Sequence, residues 1–148
     1  SQHPIIDKLL RQIEPKCREY LRSPFMFVNV SAWKTRPNSA PRDRGPTRIH
    51  RDGYAPGHAK CLIYVHSLNS EMGFIEVASE ILSSTEAGLA LLFQNSSVDH
   101  RSIPGHSYYR YTFDITMMRT LLQSDPFRNY AGTSDDRHLS SPIYAYLK

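Results

Sequence analysis

Apolar residues recur near a 3.6-residue period at the start of the chain. Ile5, Ile6, Leu9, Leu10, Ile13, Cys17, Tyr20 and Leu21 share one face, and charged residues fill the other. The spacing predicts a helical cover over residues 4–22 that lies on one side of a sheet. Pro15 falls inside this run. It lacks an N–H and clashes with the preceding turn, so it is expected to kink the helix or to open a second short one. From Pro24 onward the pattern is that of strands. PFMFVNVSAW (24–33), TRIHRD (47–52), HAKCLIYVHSL (58–68), FIEVAS (74–79), GLALLF (88–93), SSVDHRSI (96–103) and YYRYTFDIT (108–116) are rich in aromatic and β-branched residues. Turn signals such as GYAPG (53–57) and NSEMG (69–73) separate them. No helical pattern intervenes between the strands. The expected fold is mainly β, a sandwich or jelly roll, and a parallel doubly wound sheet is disfavoured. Farther on, MMRTLL (117–122) predicts a short helix, residues 124–142 read as turns, and IYAYLK (143–148) predicts a closing edge strand.

A length of 148 residues suits one domain, 1–148, with a helical cover (1–23), a β core (24–116) and a C-terminal extension (117–148). The composition, 40% hydrophobic and 22% charged, is that of a soluble globular chain with a core. Its longest apolar runs fall far short of the roughly 20 residues that span a membrane. SQHPIIDKLL does not read as a secretory signal, and Cys17 and Cys61 are too few for a disulfide framework or a cysteine-built zinc site. A reduced, cytoplasmic setting is therefore expected. The net charge is +4, and much of the excess lies in the loop 34–48, in Lys34, Arg36, Arg42, Arg44 and Arg48. A loop this long inside a compact domain is often a lid or binding loop. Its charge suits an anionic substrate or nucleic acid, although basic composition alone is equally that of a solvated loop.

Of the seven histidines, only His50 is followed two residues later by a carboxylate, Asp52. In a strand, residues i and i+2 point to the same face, so both can converge on one ion. His100 stands in a second strand-like segment. Arg110 follows ten residues later, with Thr112 on the same face of its strand. Two histidines and one carboxylate on one side of an octahedral ion form the facial triad of non-haem Fe(II) oxygenases and leave coordination positions open. A strand arginine is suited to holding a dicarboxylate through a bidentate, charge-assisted pair.

With these pieces the sequence resembles the Fe(II)/2-oxoglutarate-dependent oxygenase superfamily. The resemblance rests on the H-x-D element at His50 and Asp52, on His100, and on Arg110-Tyr111-Thr112 ten residues beyond it. KCLIYVHSLNSEMGFIEV (60–77) is similar to the strand–turn–strand of the phytanoyl-CoA dioxygenase-like branch; a small hydroxylase branch is the other fit. The resemblance covers roughly residues 24–116. It implies a double-stranded β-helix (jelly roll) with iron at its mouth, ligated by His50, Asp52 and His100. Arg110 and Thr112 would hold the far carboxylate of 2-oxoglutarate, with Tyr64 and Asn29 as further cosubstrate contacts. The implied activity is a dioxygenase, most simply a hydroxylase, acting on a small-molecule or carrier- or polymer-bound substrate. It would consume 2-oxoglutarate and O₂ and release succinate and CO₂, with ascorbate as a reductant.

Two alternatives belong to other classes: a non-catalytic metal-binding jelly roll, and a basic nucleic-acid-binding module. The second draws on the aromatic–basic run YYRYTF, but strand alternation puts Tyr109 and Tyr111 on the face opposite Arg110. His58 and His66 are read as ordinary surface or core histidines, Cys61 as a core residue, and Arg101 and Asp99 as facing away from His100.

Overall fold

The computed structural model describes residues 4–38, 46–83, 86–121 and 126, and the backbone of residues 146 and 147. It is mainly β, with one N-terminal helix and two antiparallel sheets. The helix, α1 (Pro4–Leu21), runs through Pro15 without a break; the proline stands exposed, where water can reach the carbonyl that its missing N–H leaves without a helical donor. Strands follow at Phe25–Thr35 (β1), His58–Tyr64 (β2), Gly73–Val77 (β3), Glu80–Leu82 (β4), Ala90–Phe93 (β5), His100–Pro104 (β6), Arg110–Arg119 (β7) and Tyr146–Leu147 (β8). The larger sheet has the order β1-β7-β2-β5-β8 and the smaller β4-β3-β6. The edge strand expected at the C-terminal end is present as β8, paired with β5.

Two apolar layers hold these elements together. Leu10, Ile13, Cys17 and Leu21 of α1 pack on Phe25, Phe27, Ala59, Cys61, Ile63, Leu92, Ile115 and Met117, one face of the larger sheet. Each fully buried aliphatic side chain contributes about 1.5–3 kcal/mol here. Burial pushes the Cys17 thiol up to about 12 and the Cys61 thiol well above its ordinary value, so both behave as core residues. The opposite face of that sheet carries Leu62, Tyr64, Leu91 and Phe93, which meet Ile75, Val77 and Leu82 of the smaller sheet. The rest of this inter-sheet space is polar, lined by Asp52, Lys60, Asn95, His100, Ser102, Arg110, Thr112, Asp114 and Thr116, all buried.

A register shift in β1 between Phe27 and Asn29 decides what faces this polar half. Phe25 and Phe27 face the helix. Beyond the bulge the parity reverses, and Asn29, Ser31 and Trp33 fall opposite Thr116, Asp114 and Thr112 of β7. Residues 117–119 are not the start of a helix, as the MMRTLL pattern suggests. Met117, Met118 and Arg119 continue β7 and pair with Phe27, Met26 and Phe25. Alternation places Met117 beside Ile115 on the helix face, which outweighs the helix propensity of the methionines. TRIHRD contributes a single bridge at His50 and not a full strand. Strand β4 is not visible in the sequence. Its hairpin turns at Ala78 and Ser79, both with positive φ, where Asn-Gly is the usual signal.

Gly73, with φ +98°, abuts the site-facing arginine. A Cβ there would run into the Ile103 carbonyl and lie 2.8 Å from Arg110 Nη1. Gly73→Ala should therefore destabilise the fold by about 1–3 kcal/mol, through backbone strain and displacement of Arg110. Urea unfolding of the variant measures the loss.

Candidate metal centre

Backbone pairing holds His50 and His100 directly opposite one another. Each N–H donates to the other's carbonyl at 3.0 Å, the narrow hydrogen-bonded antiparallel pair that sends both side chains to one face. The ring centroids lie 4.3 Å apart. Two residues on, the Asp52 N–H donates to the Asn95 carbonyl at 3.0 Å, which turns its carboxylate toward the histidines. Each Nε2 is 3.7 Å from Asp52 Oδ1, and the three donor atoms lie within 4.8 Å of one another. Donors that share one ion at 2.0–2.2 Å sit about 3–4 Å apart.

The remaining atoms of these side chains are already engaged. His50 Nδ1 faces the Arg48 carbonyl at 2.6 Å, and His100 Nδ1 faces the Val98 carbonyl at 2.8 Å. An Nδ1–H donated to a carbonyl leaves the Nε2 lone pair free to ligate, the usual arrangement behind a metal-bound imidazole. Asp52 Oδ2 accepts from Asn95 Nδ2 at 2.7 Å and lies 3.4 Å from the Lys60 ammonium. Asp52 Oδ1 and His50 Nε2 are buried and have no hydrogen-bond partner. Buried polar atoms are almost always satisfied, and a shared cation would satisfy these. Phe93 meets the His100 ring edge-on at 5.3 Å. Burial disfavours the imidazolium and pushes His100 down to about 4. His50 and Lys60 act in the same direction, against the Val98 carbonyl and Asp52. At neutral pH the ring is the neutral base that a metal needs.

Arg110 starts β7 and is 2% exposed. Its Nη1 donates to the carbonyls of Phe74 at 2.9 Å and Ile103 at 3.2 Å, and its Nη2 donates to the Ser102 hydroxyl. All three acceptors are neutral. Among the described residues Arg110 forms no ion pair. A buried guanidinium without a carboxylate partner is uncommon and attracts an anion. The Tyr64 ring lies 5.6 Å beneath it. Thr112, also buried, pairs with Tyr64 in the sheet. Asn29 is placed elsewhere, opposite Thr116 and six residues along β7 from Arg110, and its amide donates to Ser31 Oγ at 3.0 Å. Arg101 points outward to Glu76 at 2.7 Å, and Asp99 pairs with Arg51, as expected for residues facing away from the site.

Of the basic loop, Lys34 turns away from the centre. Lys34 lies 4.1 Å over the Tyr109 ring, and Tyr109 and Tyr111 are exposed on the face opposite Arg110. Arg42 and Arg44 lie outside the described residues. His58 stacks on Tyr54, and His66 meets Tyr111 edge-on. Among the described residues, His50, Asp52 and His100 are the one group placed to share an ion.

Sequence reasoning missed Asn95, Ser102 and a buried charge network. Lys60 is 2% exposed, and its ammonium lies 3.1 Å from Asp114 Oδ2, which also accepts from Trp33 Nε1 at 3.3 Å. Burial raises Asp114 to about 6 against the opposing pull of Lys60 and Trp33. The available signal was a lysine amid the apolar run HAKCLIY.

No family model matches the chain, and no curated protein matches it significantly. No described helix is long and apolar enough to cross a membrane.

The His100 shift fixes a pH dependence. Its pKa is 6.5 when unfolded and about 4 when folded. Its contribution to stability is full above pH 6.5 and is lost as the pH falls toward 4, because the unfolded chain takes up the proton first. Between pH 7 and 4.5, His100→Gln should lose less stability than the parent, read by denaturant unfolding at both pH values.

Proposed function

We propose that this chain is an Fe(II)- and 2-oxoglutarate-dependent oxygenase that hydroxylates its substrate. The observation that carries the reading is the convergence of His50 Nε2, His100 Nε2 and Asp52 Oδ1 within a buried space, with every other polar atom of the two rings tied to backbone. This donor set suits Fe(II) through its imidazole and carboxylate chemistry. Bound iron would supply O₂ activation coupled to decarboxylation of 2-oxoglutarate.

The chain's own residues support the rest. Ser102, which Arg110 holds, stands two residues along β6 from His100 on the same face. That step is about 6.6 Å, a separation that a five-carbon dicarboxylate bridges. Arg110 would neutralise the far carboxylate and Thr112 would add a hydroxyl donor. Tyr64 would floor this pocket with its ring. The strand order supports a jelly roll. Counting the bridged segment at His50 as a strand, the chain would run through the larger sheet as first, eighth, third and sixth strands. The smaller sheet would hold the second, seventh, fourth and fifth.

Anaerobic titration with Fe(II) and 2-oxoglutarate tests the reading. The expected sign is a weak metal-to-ligand charge-transfer band in the visible. His50→Ala, Asp52→Ala and His100→Ala should each abolish it while far-UV circular dichroism is retained. Arg110→Ala should raise the half-saturating 2-oxoglutarate concentration about thirtyfold to several thousandfold, the loss of one partner of a buried charge pair, about 2–5 kcal/mol. Thr112→Ala should cost about 1 kcal/mol. Arg101→Ala, whose side chain is bound to Glu76, should leave the curve unchanged. No band with the parent protein sinks the proposal.

A further inference from the structure

We propose that Lys60, clamped by Asp114, is a positioning residue that holds Asp52 as a one-oxygen ligand; the proposal rests on reading His50, Asp52 and His100 as metal ligands. A carboxylate can give an ion both oxygens and then occupies two coordination positions. Asp52 Oδ2 is kept out of that role from two sides, by the Asn95 amide at 2.7 Å and the Lys60 ammonium at 3.4 Å. The lysine is itself held from behind. Asp114 Oδ2 lies 3.1 Å from its Nζ and accepts from Trp33 Nε1 at 3.3 Å. A line of polar contacts therefore crosses β1, β7 and β2 and ends on the far oxygen of a metal ligand.

Satisfying Oδ2 does not require a buried ammonium, since Asn95 already donates to it. A cation beside a cation site also weakens metal affinity, so the lysine does not serve affinity. What it serves is denticity. With Oδ2 held by Lys60 and Asn95, only Oδ1 faces the histidines, and an ion bound there would take one oxygen from Asp52 and keep its remaining positions for ligands from outside. The register makes the reach possible. Lys60, Leu62 and Tyr64 alternate onto the inter-sheet face of β2, and Asp114 stands beside Leu62 on β7.

The direction of the effect separates this role from a merely structural one. The probe is Co(II), whose visible d–d bands report coordination, titrated into the full chain and its variants. Lys60→Met should bind Co(II) about tenfold or more tightly, because a like charge is removed and a second oxygen is released. Its d–d spectrum should change. The Co(II)-loaded variant should bind 2-oxoglutarate about tenfold more weakly, since one position is taken. Lys60→Arg should restore the parent's spectrum. The double variant Lys60→Met/Asp114→Asn removes both buried charges together and should behave as Lys60→Met. Asp114→Asn alone keeps Lys60 and an acceptor for Trp33, loosens the clamp, and should move the spectrum the same way by a smaller amount. Unchanged spectra, or equal or weaker Co(II) binding in the folded variants, overturn the proposal; if neither methionine variant folds, an unchanged spectrum in Asp114→Asn does so. Failure of the parent to bind Co(II) removes the metal centre and this inference with it. A parent that binds normally beside variants that match it removes only the role of Lys60.

Discussion

The two reciprocal hydrogen bonds between His50 and His100 organise the whole polar half of the molecule. The segment around His50 has no ladder of its own. It is tied to the smaller sheet by these two bonds and by the Ser102 N–H donating to the Pro46 carbonyl, and to the segment after β5 by the Asp52 N–H donating to the Asn95 carbonyl. Residues directly opposite in a narrow antiparallel pair must present their side chains on one face. Once that pair forms, the two-residue step from His50 and the Asp52 N–H bond to the Asn95 carbonyl place the carboxylate. Without it the three donor atoms have no reason to meet.

The second constraint is charge. Asp52, Lys60, Arg110 and Asp114 all lie between the sheets with almost no exposure. Isolated, each would cost several kcal/mol to bury. Together their formal charges cancel, two positive against two negative. Under the proposed function, a divalent cation and a dicarboxylate would add charges that again cancel. Three of the four groups lie in contact through Lys60, whereas Arg110 stands apart with only neutral oxygens around it. Lys60 thus finds its counter-charges within the fold, while Arg110 has none among the described residues; under the proposed function the far carboxylate of 2-oxoglutarate would supply it.

The apolar layers make this arrangement affordable. α1 covers one face of the larger sheet, and the Leu62–Ile75–Leu91 layer closes half of the inter-sheet space. The bulge in β1 then sends Asn29, Ser31 and Trp33 toward the other half, where an uninterrupted alternation would have put them against the helix. One irregular residue thus converts an edge strand from pure cover into a wall of the polar space, and supplies the indole that braces Asp114.

Local periodicity determined much of this by itself. The α1 stripe, six of the β1–β7 segments and the i, i+2 relation of His50 to Asp52 follow from 3.6- and 2-residue repeats, which are set by neighbours in the chain. The ten-residue step from His100 to Arg110 is likewise a local matter of one strand, one turn and the next strand start. What only the tertiary structure decided depends on partners far apart in sequence. The continuation of β7 through Met117–Arg119 is imposed by Phe25–Phe27. The β4 hairpin turns on an Ala-Ser pair that carries no turn signal, held by the Ala78 N–H on the Asp99 carbonyl. Lys60 reads as a stray polar residue in an apolar strand until Asp52 and Asp114, from two other segments, close around it. A buried charge is stable only when its counter-charges arrive through folding, and no local pattern in the chain encodes that meeting.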